Sequence, residues 1–133
     1  MSGEMTGSRL RSPLGRALGL GSAKEGVDHW WAQRVTALAL VPLVVWFVTV
    51  VIELVGADRA ALVDWLHHPL PAVLWVLFLI AAAYHGAVGL QVVIEDYIEN
   101  EALRLGVMIV MKLAAALLTA LGVYAVLKLS FGA

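Results

Sequence analysis

The chain contains no cysteine, which excludes disulfides, thiolate metal sites and any iron–sulfur cluster held by its own side chains. A metal bound here must use histidine, carboxylate, methionine or backbone ligands. Charge is also scarce. Only 14% of the 133 residues are charged and the formal net charge is -1, so there is no basic field to hold nucleic acid. The first 34 residues lack the short basic, apolar and small-residue layout of a cleavable secretory signal. What is abundant is apolar side chain: 62% of residues are hydrophobic and the mean hydropathy is +0.89. In so short a chain this predicts one integral membrane domain rather than a soluble core.

Val35 to Leu54, Leu70 to Ile94 and Leu103 to Leu129 are each long enough to cross the hydrocarbon layer as helix, which takes about 20 residues. The expected fold is an all-α membrane protein with three transmembrane helices. Its organisation reads as an inside or interfacial segment over 1–34, a three-span membrane domain over 35–129 and a tail over 130–133. Arg9, Arg11, Arg16, Lys24 and Arg34 outnumber Glu4, Glu25 and Asp28 before the first span, which favours an inside N-terminus and so an outside C-terminus. The first loop, with Asp58, Arg59 and Asp64, offers no competing basic cluster. A bacterial inner membrane is the expected location. The arginine- and serine-containing beginning keeps the mitochondrial inner membrane as the alternative.

Turn formers punctuate Ser12 to Arg16 and Gly19 to Ser22, after which Ser22 or Asp28 is a candidate helix cap. Trp30 and Trp31 fit an interfacial aromatic belt, or one of them shapes a headgroup pocket. Pro42 predicts a local bend in span one. Glu53 is placed to reach water or pair with Arg59. His67, His68, Pro69 and Pro71 read as a proline-bounded turn, with no further residues to complete a metal set.

His85 is the only histidine well inside a span. A neutral imidazole in lipid must have its polar atoms satisfied; it either ligates haem iron through one nitrogen or makes a structural hydrogen bond to another helix. Residue chemistry alone leaves both readings open. If it ligates a bis-histidine haem, the second axial ligand comes from another polypeptide. Ala81, Ala82, Gly86 and Gly89 around it allow a helix or a flat macrocycle to approach closely, and Ala114, Ala115, Ala116, Ala120 and Gly122 do the same in span three. Lys112 either snorkels toward headgroups or meets a haem propionate, a lipid phosphate or an acidic residue. Met108 and Met111 read as packing residues.

Asp96 and Tyr97 follow His85 by eleven and twelve positions. Asp96 lies about 16 Å along the helix on nearly the same face. At the rim a tyrosine packs against an apolar headgroup while its hydroxyl donates to a quinone carbonyl, and the acid orients a basic neighbour or water. Asp96 as a cap of span three or a plain surface residue is the competing reading.

The run Trp30-Trp31-Ala32-Gln33-Arg34-Val35-Thr36-Ala37-Leu38, followed by His85-Gly86-Ala87-Val88-Gly89-Leu90-Gln91-Val92-Val93-Ile94-Glu95-Asp96-Tyr97, resembles the smaller hydrophobic membrane-anchor (cytochrome b) subunit of succinate dehydrogenase, respiratory complex II. Gly19 to Gly26 looks like the form found in alphaproteobacterial and related anchors. The resemblance implies three helices packed with a second three-helix anchor subunit, a cytochrome b partner, beneath an iron–sulfur subunit and a flavoprotein subunit. It implies haem b shared with the partner anchor, with His85 as an axial ligand of the iron, and ubiquinone as substrate. FAD and iron–sulfur clusters would lie only in the partner subunits. Tyr97 matches the quinone-contacting tyrosine and Asp96 its acidic neighbour; Arg34 supports a haem propionate or the quinone pocket; Arg104 matches a basic residue after the acid–tyrosine pair. Trp30 and Trp31 would line the junction with the iron–sulfur partner. On this reading the chain is a non-catalytic anchor subunit of an enzyme complex. The rival readings are a non-redox structural membrane adaptor and a small homo-oligomeric channel.

Overall fold

The computed structural model describes residues 21–132. The expected turn formers from Ser12 to Leu20, the basic residues Arg9, Arg11 and Arg16, and Ala133 lie outside the described residues. Two compact units are distinguished, one ending at Trp31 and one beginning at Ala32. The described residues form four helices and no strand: α1 (Gly21–Glu53), α2 (Arg59–His67), α3 (Pro69–Tyr97) and α4 (Glu101–Phe131). Three stretches, Gly26–Glu53, Pro69–Tyr97 and Glu101–Phe131, are long and apolar enough to cross a membrane.

The helices run past the ends of the hydropathic spans. α1 starts well before Val35, so Ser22 and Asp28 lie within it rather than capping it, and it continues unbroken through Pro42. At about 1.5 Å per residue its 33 residues extend roughly 50 Å, more than the ~30 Å hydrocarbon layer. Hydropathy marks only the lipid-facing portion of a helix; hydrogen bonding carries the backbone further. α2 is the one element that hydropathy misses, because nine residues are too few to register as a span.

Local chemistry explains several of the boundaries. Gly56 takes φ +83 just beyond α1, a left-handed conformation that glycine adopts without steric cost. Asp58 then caps α2, its Oδ1 accepting from the Ala61 amide at 2.9 Å. His68 ends α2 and precedes α3, and Pro69 fills the first position of α3, where a missing amide proton is not needed. Asn100 caps α4, accepting from the Leu103 amide at 3.0 Å. Within the spans, Thr49 donates to the Trp46 carbonyl at 2.7 Å and Thr119 to the Ala115 carbonyl at 2.6 Å, so these hydroxyls are satisfied by their own helices.

Packing differs from pair to pair. α3 and α4 approach most closely, antiparallel, and an added Cβ at Gly122 would sit 3.1 Å from Leu79 Cδ1. The end of the leucine side chain would have to give slightly to any Cβ there. α1 meets α3 through long side chains instead. Trp46 stacks on Trp65 of α2 at 6.2 Å and meets Trp75 edge-on at 5.9 Å, while Phe47 stacks on Phe78 at 4.7 Å. The buried cluster Leu66, Ala72 and Val126 lies at the His67 end, where α2 folds back against α3 and α4. Elsewhere the large apolar side chains face outward, as lipid or a partner helix requires; Leu38 is 73% exposed.

Candidate functional site

His85 sits on α3, half-buried, in the part of the helix that faces α1. Its Nδ1 lies 3.1 Å from Thr36 Oγ1 on α1. No hydrogen bond reaches Nε2 from any described residue, and Nε2 is not among the enclosed polar atoms without partners. That nitrogen is thus neither paired with a described residue nor fully enclosed. Gly86, the next residue, has no atom within 4 Å of where a Cβ would be. Gly89, one turn on, faces Gln33 Nε2 at 3.8 Å from its would-be Cβ. Of the two glycines, Gly89 is the one that faces α1.

An imidazole held at one nitrogen, with no partner at the other among the described residues, has the donor chemistry of a haem iron ligand. No group of three or more histidine, cysteine, aspartate or glutamate residues gathers among the described residues. A macrocycle that brings four of its own iron ligands needs no more than a single donor from one face.

Asp96 and Tyr97 are the last two residues of α3, inside the helix rather than beyond it. Continuity of α3 places Asp96 about 16 Å from His85 on nearly the same stripe, and Tyr97 about 120° away around the axis. Acid and phenol therefore address different sides of the rim. Asp96 is exposed and does not cap α4, a role that Asn100 takes. Tyr97 is 83% exposed, and its ring and hydroxyl stand outside the bundle. One turn earlier, Gln91 Nε2 donates to Glu95 Oε1 at 2.9 Å, adding a polar pair to this end of α3.

The remaining candidates are more dispersed. Arg34 is exposed on α1, and Arg104 is half-exposed in the first turns of α4. Trp30 and Trp31 are both exposed and meet edge to face at 5.1 Å. Lys112 is exposed on α4. His67 Nε2 lies 3.3 Å from the Gly132 carbonyl oxygen, so this histidine ties the end of α2 to the end of α4 rather than pairing with His68.

Thr36 and Gln33 are what sequence reasoning left unassigned. Gln33 has a buried Oε1 with no partner among the described residues. Both are polar residues in or beside an apolar span, which is a signal of sorts. For a threonine it is a weak one, because a helical hydroxyl ordinarily satisfies itself on the preceding turn.

Comparison with known proteins covers most of the chain. The family described as succinate dehydrogenase/fumarate reductase transmembrane subunit matches residues 8–122. The succinate dehydrogenase hydrophobic membrane anchor subunit of Paracoccus denitrificans is 33% identical over 125 residues, 94% of this chain and 96% of that protein. The corresponding subunit of Rickettsia bellii is 34% identical over 108 residues, 81% of this chain and 86% of its own. That of Rickettsia conorii is 33% identical over 105 residues, 78% and 83% of the two chains. No solved structure matches.

Proposed function

Because the chain belongs to the succinate dehydrogenase/fumarate reductase transmembrane-subunit family, we propose that it anchors a succinate:quinone oxidoreductase in the membrane, holds one axial position of haem b and forms part of the ubiquinone-reduction site. The observation that supports the redox part is the His85 ring, engaged at Nδ1 and without a partner at Nε2 among the described residues. Haem b, when bound, supplies a one-electron centre within the membrane. His85 would hold it from this side, and the second anchor subunit would supply the opposite ligand.

Quinone reduction takes up two protons as well as two electrons, so its site belongs where lipid meets water. Tyr97 meets that requirement: its ring offers an apolar face and its hydroxyl a directed donor at the end of α3. Asp96, exposed at the same end of α3 but about 100° around the axis, supports proton delivery by orienting water or a cation. Arg34 is assigned to a haem propionate or to the quinone pocket. Trp30 and Trp31 are assigned to the junction with the iron–sulfur subunit, where an exposed indole pair supplies a rigid apolar contact. Succinate itself is oxidised on the flavoprotein subunit, and the iron–sulfur subunit carries the electrons to the membrane. The inside N-terminus puts those subunits on the cytoplasmic face.

The test is an optical one on the purified complex. His85→Ala, with all subunits still co-purifying, is expected to abolish the reduced-minus-oxidised haem band. An unchanged band with intact assembly would leave His85 as a structural histidine between helices.

A further inference from the structure

We propose that Thr36 is the positioning residue for His85: it fixes the imidazole as the Nδ1–H tautomer and so makes Nε2 the nitrogen that ligates iron. The inference rests on the haem-ligand reading above and adds to it a residue on a different helix.

The assignment comes from counting protons. Thr36 Oγ1 lies 2.7 Å from the Ala32 carbonyl oxygen and 3.2 Å from that of Gln33. A hydroxyl carries one proton, and a carbonyl can only accept, so the Thr36 proton is directed to the preceding turn of its own helix. Oγ1 then faces His85 Nδ1, 3.1 Å away, with a lone pair. The ring nitrogen must be the donor, and in a neutral imidazole that leaves the lone pair on Nε2. The reverse arrangement would turn the only hydroxyl proton away from its shortest contact. A relay results, from His85 Nδ1–H to Thr36 Oγ1 and from Thr36 Oγ1–H to the Ala32 carbonyl, that anchors the imidazole to the backbone of α1.

Two consequences follow for the ligand. The ring plane is set by a contact between α1 and α3, so the direction of Nε2 is a property of helix packing and not of α3 alone. Donation from Nδ1 also enriches the ring in electron density and makes Nε2 a stronger donor, which favours the ferric over the ferrous ion. Hydrogen-bond partners of this kind typically change metal affinity about 10–100-fold when removed.

The test uses the assembled complex and two substitutions, one that keeps the shape of threonine and one that keeps its hydroxyl. Thr36→Val removes the hydroxyl, and Thr36→Ser keeps it. If Thr36→Val binds the ferric form about tenfold more weakly relative to the ferrous form, the haem midpoint potential rises by ~59 mV. The low-spin electron paramagnetic resonance signal should move with it. Thr36→Ser should restore both. A Thr36→Val complex with unchanged potential and resonance overturns the proposal, and so do equal shifts in the valine and serine variants, which would mark a packing effect. If the valine variant does not assemble, Thr36→Ala is read by the same criteria. His85→Ala separates the two layers of argument. Loss of haem there with a silent Thr36→Val removes only the role of Thr36, whereas haem retained in His85→Ala removes both.

Discussion

Tyr97 and His85 belong to one helix but are exposed to different surroundings. The tyrosine ends α3 with 83% of its surface open, while the imidazole is half-buried against α1. Their separation around the axis, about 120°, means that a quinone, if Tyr97 holds one, would not lie on the stripe that carries His85. Changing one should therefore spare the other. Tyr97→Phe is expected to slow quinone reduction about tenfold, the equivalent of ~1.4 kcal/mol for a lost hydrogen bond, without altering the haem band. Electron transfer to a soluble artificial acceptor, measured alongside, should be unaffected; equal losses in both assays would indicate damaged assembly. Gly122 offers a second test at this scale. A Cβ there meets only the mobile end of Leu79, so Gly122→Ala should be tolerated, whereas Gly122→Leu should cost about 1–3 kcal/mol of stability. Denaturant titration in detergent compares the two.

At the level of elements, the short helix α2 has a disproportionate role. It supplies Leu66 to the small buried cluster and Trp65 to the aromatic group that joins α1 to α3. Its start depends on Asp58, whose carboxylate caps the first turn. Asp58→Ala should remove about 1 kcal/mol and loosen the His67 end before the His85 region. Hydrogen exchange should then rise first in α2 and the adjoining ends of α3 and α4; uniform loosening of all spans would contradict this. Hydropathy finds α1, α3 and α4 because each contains a long unbroken apolar run. It does not find α2, whose sequence alternates apolar residues with Arg59, Asp64 and His67 over only nine positions. The same limit explains the helix ends: Asp96 and Tyr97 lie within α3 although they fall outside the apolar stretch ending at Ile94.

On the scale of the whole molecule, the chain has little interior of its own. Four apolar residues are buried among those described, and most large side chains in the spans face outward. Such a surface is complete only in lipid and against other helices, consistent with a family of membrane subunits. We expect the N-terminus inside and the C-terminus outside. A reporter active only outside the membrane should give signal when fused after Phe131 and none when fused before Gly21; the opposite pattern would invert the proposed placement of the Tyr97 end. Mass analysis of the complex purified through this chain should find a second anchor, an iron–sulfur subunit and a flavoprotein. Recovery of the chain with copies of itself alone would favour the oligomeric channel.

Much of this protein was already decided by residue order. Three apolar runs determine three spans because the backbone must bond to itself in lipid, and the His85-to-Tyr97 spacing survives into the fold because a continuous helix turns linear distance directly into height and angle. The contacts between helices were decided only by tertiary structure. Thr36 and His85 stand 49 positions apart, and nothing periodic in the sequence links them. Their meeting depends on how far α1 sits from α3, a distance set by Trp46, Phe47, Trp75 and Phe78, and on Gly89 leaving room for Gln33. Helix register across a pair is a property of packed side chains, and it exists only once both helices are in place.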